Sequence, residues 1–86
     1  MIEIYAREHP PCTHCIAAVN LCEAQNIEYT KHVLGTDFTR EQLFEKFPDA
    51  RTFPQITDDG AYVGGFDDLL STLAAKQVKE MGFNDL

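Results

Sequence analysis

The chain has 86 residues, of which 44% are apolar, and 14 Asp and Glu outweigh 7 Lys and Arg for a net charge of −7. A chain of this length is expected to form one domain over residues 1–86 with a small core. The acidic balance argues against a nucleic-acid binder, and no apolar run approaches the roughly 20 residues of a membrane span.

Met1-Ile2-Glu3-Ile4 runs straight into a strand with no signal-peptide pattern, which makes the cytoplasm the expected address. Ile2, Ile4 and Tyr5 around Glu3 form a short strand, apolar enough to be central in a sheet. Arg7 to Pro11 is a loop whose two prolines forbid regular pairing. A helical pattern follows to about Gln25. Cys15, Ala18, Val19 and Cys22 share one face of it, Leu21 and Ala24 widen that face, and Asn26 is a suitable stop. A second strand is expected at about Ile27 to Leu34. Strand, helix and strand in about thirty residues make a βαβ unit, so the two strands should be parallel.

After the Gly35-Thr36-Asp37 turn, Thr39 and Gln42 fit a capping box, with Phe38 and Leu43 as its hydrophobic staple. The helix they open should turn Leu43, Phe44 and Phe47 inward and end before Pro48. Gln55-Ile56-Thr57 and Ala61-Tyr62-Val63 read as a hairpin about Asp58-Asp59-Gly60, with Tyr62 assigned to packing only. Gly64-Gly65 breaks the second strand. Asp67 can cap a last helix carrying Phe66, Leu69, Leu70, Leu73 and Ala74, while Asp68 reads as a solvated first-turn charge. Residues 77–86 have a weak pattern and are expected to fray. The order is β-α-β-α-β-β-α, an α/β chain of four strands with helices on both faces.

The chemistry concentrates in His9-Pro10-Pro11-Cys12-Thr13-His14-Cys15, where the first strand ends and the first helix starts. Free backbone N–H groups and the helix dipole favour negative charge there, so a thiol loses its proton more easily. Cys-x-x-Cys at a helix start is also suited to opening and closing a disulfide within itself. Three cysteines cannot all pair within one chain, and in a reducing compartment a close pair reads as catalytic or metal-binding.

Cys12-Thr13-His14-Cys15, Thr52-Phe53-Pro54 and Gly64-Gly65-Phe66-Asp67-Asp68, in this element order, resemble a glutaredoxin over roughly residues 1–76. The resemblance implies a thioredoxin fold, a four-stranded mixed sheet flanked by three helices. It implies an enzyme, a glutathione-dependent thiol–disulfide oxidoreductase, with Cys12 as nucleophile, nearer the helix start and more exposed, and Cys15 as resolving thiol. Pro54 is then expected to be cis, exposing the backbone of Phe53, beside Thr52, to pair with the glutathione cysteine. Gly65, Phe66 and Asp67 would hold the γ-glutamyl end through a helix N-terminus and its capping carboxylate. Arg7, His9 or Arg51 would meet the glycine carboxylate. Thr13-His14 replaces the family's usual Pro-Tyr, and a charged His14 would favour the thiolate.

The same resemblance implies no bound cofactor or metal, and glutathione as reducing co-substrate. Its partners would be disulfide-containing or glutathionylated proteins, with ribonucleotide reductase a client by analogy, acting on a monomer with no nucleic acid and no membrane. Other readings stay open. Cys12, Cys15, His14, Cys22 and His32 supply zinc-ligand types, and Cys12 could help bridge an iron–sulfur cluster between two chains. The chain could also be a thioredoxin-like donor reduced by a flavoprotein, or a non-catalytic binding module. Cys22 itself reads as a small buried apolar residue.

Overall fold

The structure is a computed structural model that describes residues 1–80, side chains through Ala75. Strands β1 (Ile2–Ala6), β2 (Tyr29–Val33), β3 (Gln55–Asp58) and β4 (Ala61–Gly64) alternate with helices α1 (Thr13–Ala24), α2 (Arg40–Lys46) and α3 (Phe66–Glu80) in the expected order. The sheet runs β2-β1-β3-β4, so the apolar β1 is indeed internal. β1 pairs parallel with β2 and antiparallel with β3, which pairs antiparallel with β4. The mixed four-stranded sheet of the thioredoxin fold is thereby formed.

Strand alternation sends one set of side chains to each face. Ile2, Ile4, Ala6 and Ile56 join Cys15, Ala18, Cys22, Leu69 and Leu73 in one core beneath α1 and α3. On the other face Phe38, Leu43 and Phe47 form a smaller cluster with Tyr5 under α2. Phe53 packs against both.

Local signals set the element ends. Thr39 and Gln42 exchange both bonds of a capping box, 3.1 and 2.9 Å. Phe38 and Leu43 meet in one cluster, and α2 ends with Phe47 before Pro48. Asn26 follows α1 at φ 55°, the left-handed conformation suited to a helix C-terminus. Asp59 and Gly60 turn the β3–β4 hairpin at φ 52° and 86°.

Four expectations need correction. Phe44 points outward and is 46% exposed, because α2 is only seven residues long and its inward face is filled by Leu43 and Phe47. Leu70 and Ala74 are likewise exposed on α3, whose buried stripe is Leu69 and Leu73. The tail expected to fray from residue 77 starts as helix: α3 continues to Glu80, with no Gly or Pro between Gly65 and Glu80 to break it. Residues 81–86 lie outside the described residues.

The fourth concerns the cap of α3. The Gly65 carbonyl accepts the Leu69 N–H at 3.0 Å, so Gly65 is the cap and Asp67 falls in the first turn. The Gly65 N–H donates to Asp68 Oδ2 at 3.1 Å. Asp68, not Asp67, thus supplies the carboxylate half of a capping box. Gly64, at φ 123°, brings the chain so close to Asp68 that a side chain there would collide with its carboxylate.

Candidate active site

β1 delivers the chain to the start of α1, and Cys12 takes the N-cap position in extended conformation, φ −122° and ψ 102°. Its carbonyl accepts N–H groups from Cys15 and Ile16, both at 3.1 Å. Its Sγ accepts the Cys15 N–H at 3.2 Å. No acidic residue stands in the first turn of α1 to oppose a negative sulfur. A thiolate at Cys12 is therefore favoured by the dipole and by a directed N–H.

Cys12 and Cys15 form a disulfide, with Cα atoms 5.2 Å apart. Cys12 is the more exposed of the two, as expected, but both are buried in this oxidised form: Cys12 is 5% exposed and Cys15 2%. The cause is packing, since both residues belong to the core under α1 and α3. Cys22, two turns along, is fully buried in the same core, and burial raises its thiol pKa above the ordinary value. It is a packing residue, as its place on the helix face indicated.

His14, between the two cysteines, lines a groove of about 350 Å³. Of the residues singled out in the sequence, His14, Thr52, Phe53, Pro54, Gly65, Phe66 and Asp67 all line it. The Phe53–Pro54 bond is cis, as expected from the resemblance; a second cis bond, His9–Pro10, was not foreseen. Pro54 is buried and Phe53 half-buried. The His14 ring stands 6.1 Å from that of Phe66, closing the groove on the α1 side.

The basic candidates are placed differently. Arg7 sets its guanidinium 5.8 Å from the centre of the Phe53 ring. Arg51 shares a small pocket of about 60 Å³ with Arg40, Thr52 and Phe53. His9 is exposed and is not among the groove's lining residues. Positive charge therefore gathers around Phe53, while Asp67 and Asp68 put negative charge beside Phe66. Like His9, Arg7 and Arg51 are not among the residues that line the groove itself.

The sequence reading missed Gln55, Tyr62 and Asp68 as parts of this wall. An aromatic residue on a strand that runs into Gly-Gly was the available signal for Tyr62. The zinc reading is corrected: His32 lies on β2, its Nε2 2.9 Å from Glu3 Oε1, and Cys22 is sealed in the core. Among the described residues no group of three or more His, Cys, Asp and Glu is placed to hold a metal ion. No helix among them is long and apolar enough to cross a membrane.

No protein-family model matches the chain. It is 35% identical over 63 residues to glutaredoxin 1 of Rickettsia typhi, a match that spans 70% of this chain and 60% of that protein. It is 30% identical over 69 residues to a probable glutaredoxin of Synechocystis, spanning 79% of this chain and 76% of that one. Among solved structures, glutaredoxin 1 of Francisella tularensis in complex with cacodylate superposes with a TM-score of 0.72 at 25% identity, over 91% of this chain and 95% of that one. A buckwheat glutaredoxin–glutathione complex superposes with a TM-score of 0.73 over 93% of this chain and 74% of that one; at 17% identity that likeness is one of fold.

Proposed function

Because the chain belongs to the glutaredoxin family, we propose that it is a glutathione-dependent thiol–disulfide oxidoreductase working through Cys12 and Cys15. The observation that carries this reading is the pairing of a helix-capping Cys12, bonded to Cys15, with a groove whose wall includes His14 from between the two cysteines. In the reduced protein the Cys12 thiolate attacks the glutathione sulfur of a protein–glutathione mixed disulfide. The S–S electron pair leaves with the protein sulfur, which takes up a proton. Cys12 is then glutathionylated. A second glutathione thiolate attacks that bond, releasing oxidised glutathione and restoring the Cys12 thiolate.

For a protein disulfide, Cys12 forms a mixed disulfide with one substrate sulfur. Cys15, one helical turn on, attacks Cys12 and releases the substrate as a dithiol. The Cys12–Cys15 disulfide so formed is the state of this structure. Two glutathione molecules reduce it in turn. These steps use no metal or prosthetic group.

In the groove, the Phe53 backbone pairs with the cysteine of glutathione by strand addition. Thr52 and Pro54 hold that backbone in place. The first N–H groups of α3, at Phe66 and Asp67, receive the γ-glutamyl carboxylate beside the Gly65 cap, and the Asp67 carboxylate receives its amine. Arg7 or Arg51, with His9 beyond them, faces the glycine carboxylate, and His14 supports the Cys12 thiolate. The reading extends to residues 1–86 acting as one domain and a monomer in the cytoplasm. Its protein partners are disulfide-containing or glutathionylated proteins, with ribonucleotide reductase as a client by family analogy.

The test is turnover of a glutathionylated peptide and of a protein disulfide, with glutathione and a glutathione-recycling system. Cys12→Ser abolishes both activities, and Cys15→Ser keeps the first while losing the second. Turnover by Cys12→Ser at near the wild-type rate would overturn the assignment.

A further inference from the structure

Tyr62 is 61% exposed on the edge strand β4, yet its hydroxyl points inward and donates to Gln55 Oε1 at 2.7 Å. Gln55 is 4% exposed, and its Nε2 donates to the Thr52 carbonyl at 2.7 Å. Both ends of this buried amide are therefore engaged. Turning the amide round would set its oxygen against the Thr52 carbonyl and its NH2 against a hydroxyl that could still accept, so the observed orientation is the better satisfied one. The chain of contacts ends on the residue that precedes Phe53 and Pro54.

Two more observations bear on why the tyrosine reaches this amide. The β3–β4 register shifts between Ile56 and Thr57, where Gly64 faces Ile56 but Tyr62 faces Thr57, leaving Val63 as the extra residue of a bulge. A bulge re-aims the side chains beside it. The Tyr62 ring also lies 5.5 Å from that of Phe47, the C-cap of α2, which holds it over the sheet from the other side.

We propose that Tyr62 is a positioning residue for glutathione binding: through Gln55 it anchors the Thr52 carbonyl and so holds the Phe53 backbone in the orientation that pairs with the peptide. The proposal rests on the reading of the groove as a glutathione site. Loss of one neutral hydrogen bond to a positioned group corresponds to about a three- to tenfold change in an equilibrium. Tyr62→Phe keeps the ring and its contact with Phe47 and removes only the hydroxyl. Its expected effect is a rise of about fivefold in KM for a glutathionylated peptide, with kcat and the Cys12–Cys15 redox potential unchanged.

Gln55→Leu breaks the same relay one step later. Adding Tyr62→Phe to it should raise KM little further, because a broken relay cannot be broken twice. A second readout needs no substrate: in the free protein, Tyr62→Phe should speed exchange of the Gln55 side-chain amide hydrogens and move the Thr52 carbonyl resonance by NMR. A wild-type KM in Tyr62→Phe, or KM effects of the two substitutions that multiply, would overturn the proposal while leaving the functional reading in place. Failure of the wild-type protein to turn over the glutathionylated peptide would instead remove that reading and with it a positioning role toward glutathione. Unchanged Gln55 and Thr52 signals in Tyr62→Phe would remove the relay itself.

Discussion

The face of the sheet beneath α1 and α3 and the face beneath α2 share four strands but are filled by different chemistry. The first holds aliphatic side chains, alanines and sulfur, from Ile4 and Ile56 to Cys22 and Leu69. The second is aromatic and polar. Tyr5 meets Phe38 and Phe47 edge-on at 5.5 and 5.3 Å and stacks on His32 at 4.6 Å. Glu3, Gln55 and Thr57 lie on this side as well, with Lys46 5.8 Å from the Tyr5 ring centre. The cysteine pair belongs to the dry face. The groove opens where the two faces meet, at Phe53, and draws its polar wall from Gln55 and Tyr62 of the second.

The contrast is broken most severely from the dry side. Ile56 is completely buried, and Ile56→Ala should lower the unfolding free energy by about 2–5 kcal/mol in a denaturant titration, since a packed core closes only partly over a void. A loss below about 1 kcal/mol would mean that this face repacks freely. Gly64 sits at the seam with φ 123°, and Gly64→Ala should cost about 1–3 kcal/mol from backbone strain, with the Asp68 carboxylate pushed off the Gly65 N–H. Thermal melts of Gly64→Ala and Asp68→Asn separate the strain from the lost cap.

The polar face offers a change of opposite sign. The Thr57 hydroxyl is buried with no hydrogen-bond partner among the described residues, so Thr57→Val should stabilise the protein by roughly 1 kcal/mol. A destabilised Thr57→Val would show that the hydroxyl is satisfied in solution. The smallest effect is expected at Glu3, whose carboxyl is held below its ordinary value of 4.5 chiefly by the His32 hydrogen bond, with burial acting the other way. A carboxyl with a depressed folded-state pKa binds its proton more readily in the unfolded chain. Its stabilisation is complete above the ordinary glutamate value and is lost as pH falls through the lower folded value. Glu3→Gln should therefore shallow the acid limb of a stability–pH curve below about pH 4.5, modestly, because the pair is partly exposed. An unchanged limb would assign acid sensitivity elsewhere.

What the chain determined alone is the set of features decided within a few residues. Thr39 and Gln42 cap α2, Asp59-Gly60 turns the hairpin, Asn26 stops α1, and Cys12 stands at a helix start. Each rests on a hydrogen bond or dihedral preference between near neighbours, so the local pattern was sufficient. The features that needed the folded molecule join residues far apart in sequence or depend on how much cover an element receives. Phe44 faces out because the short α2 covers so little of its sheet face, and Cys12 is enclosed because two helices converge on it. The cap of α3 moved from Asp67 to Gly65, with Asp68 closing the box, because the backbone turn at Gly64 starts the helix two residues earlier. Tyr62 reaches Gln55 because the β3–β4 register sets it opposite Thr57, on the sheet face that Gln55 shares, a long-range placement that no local pattern encodes.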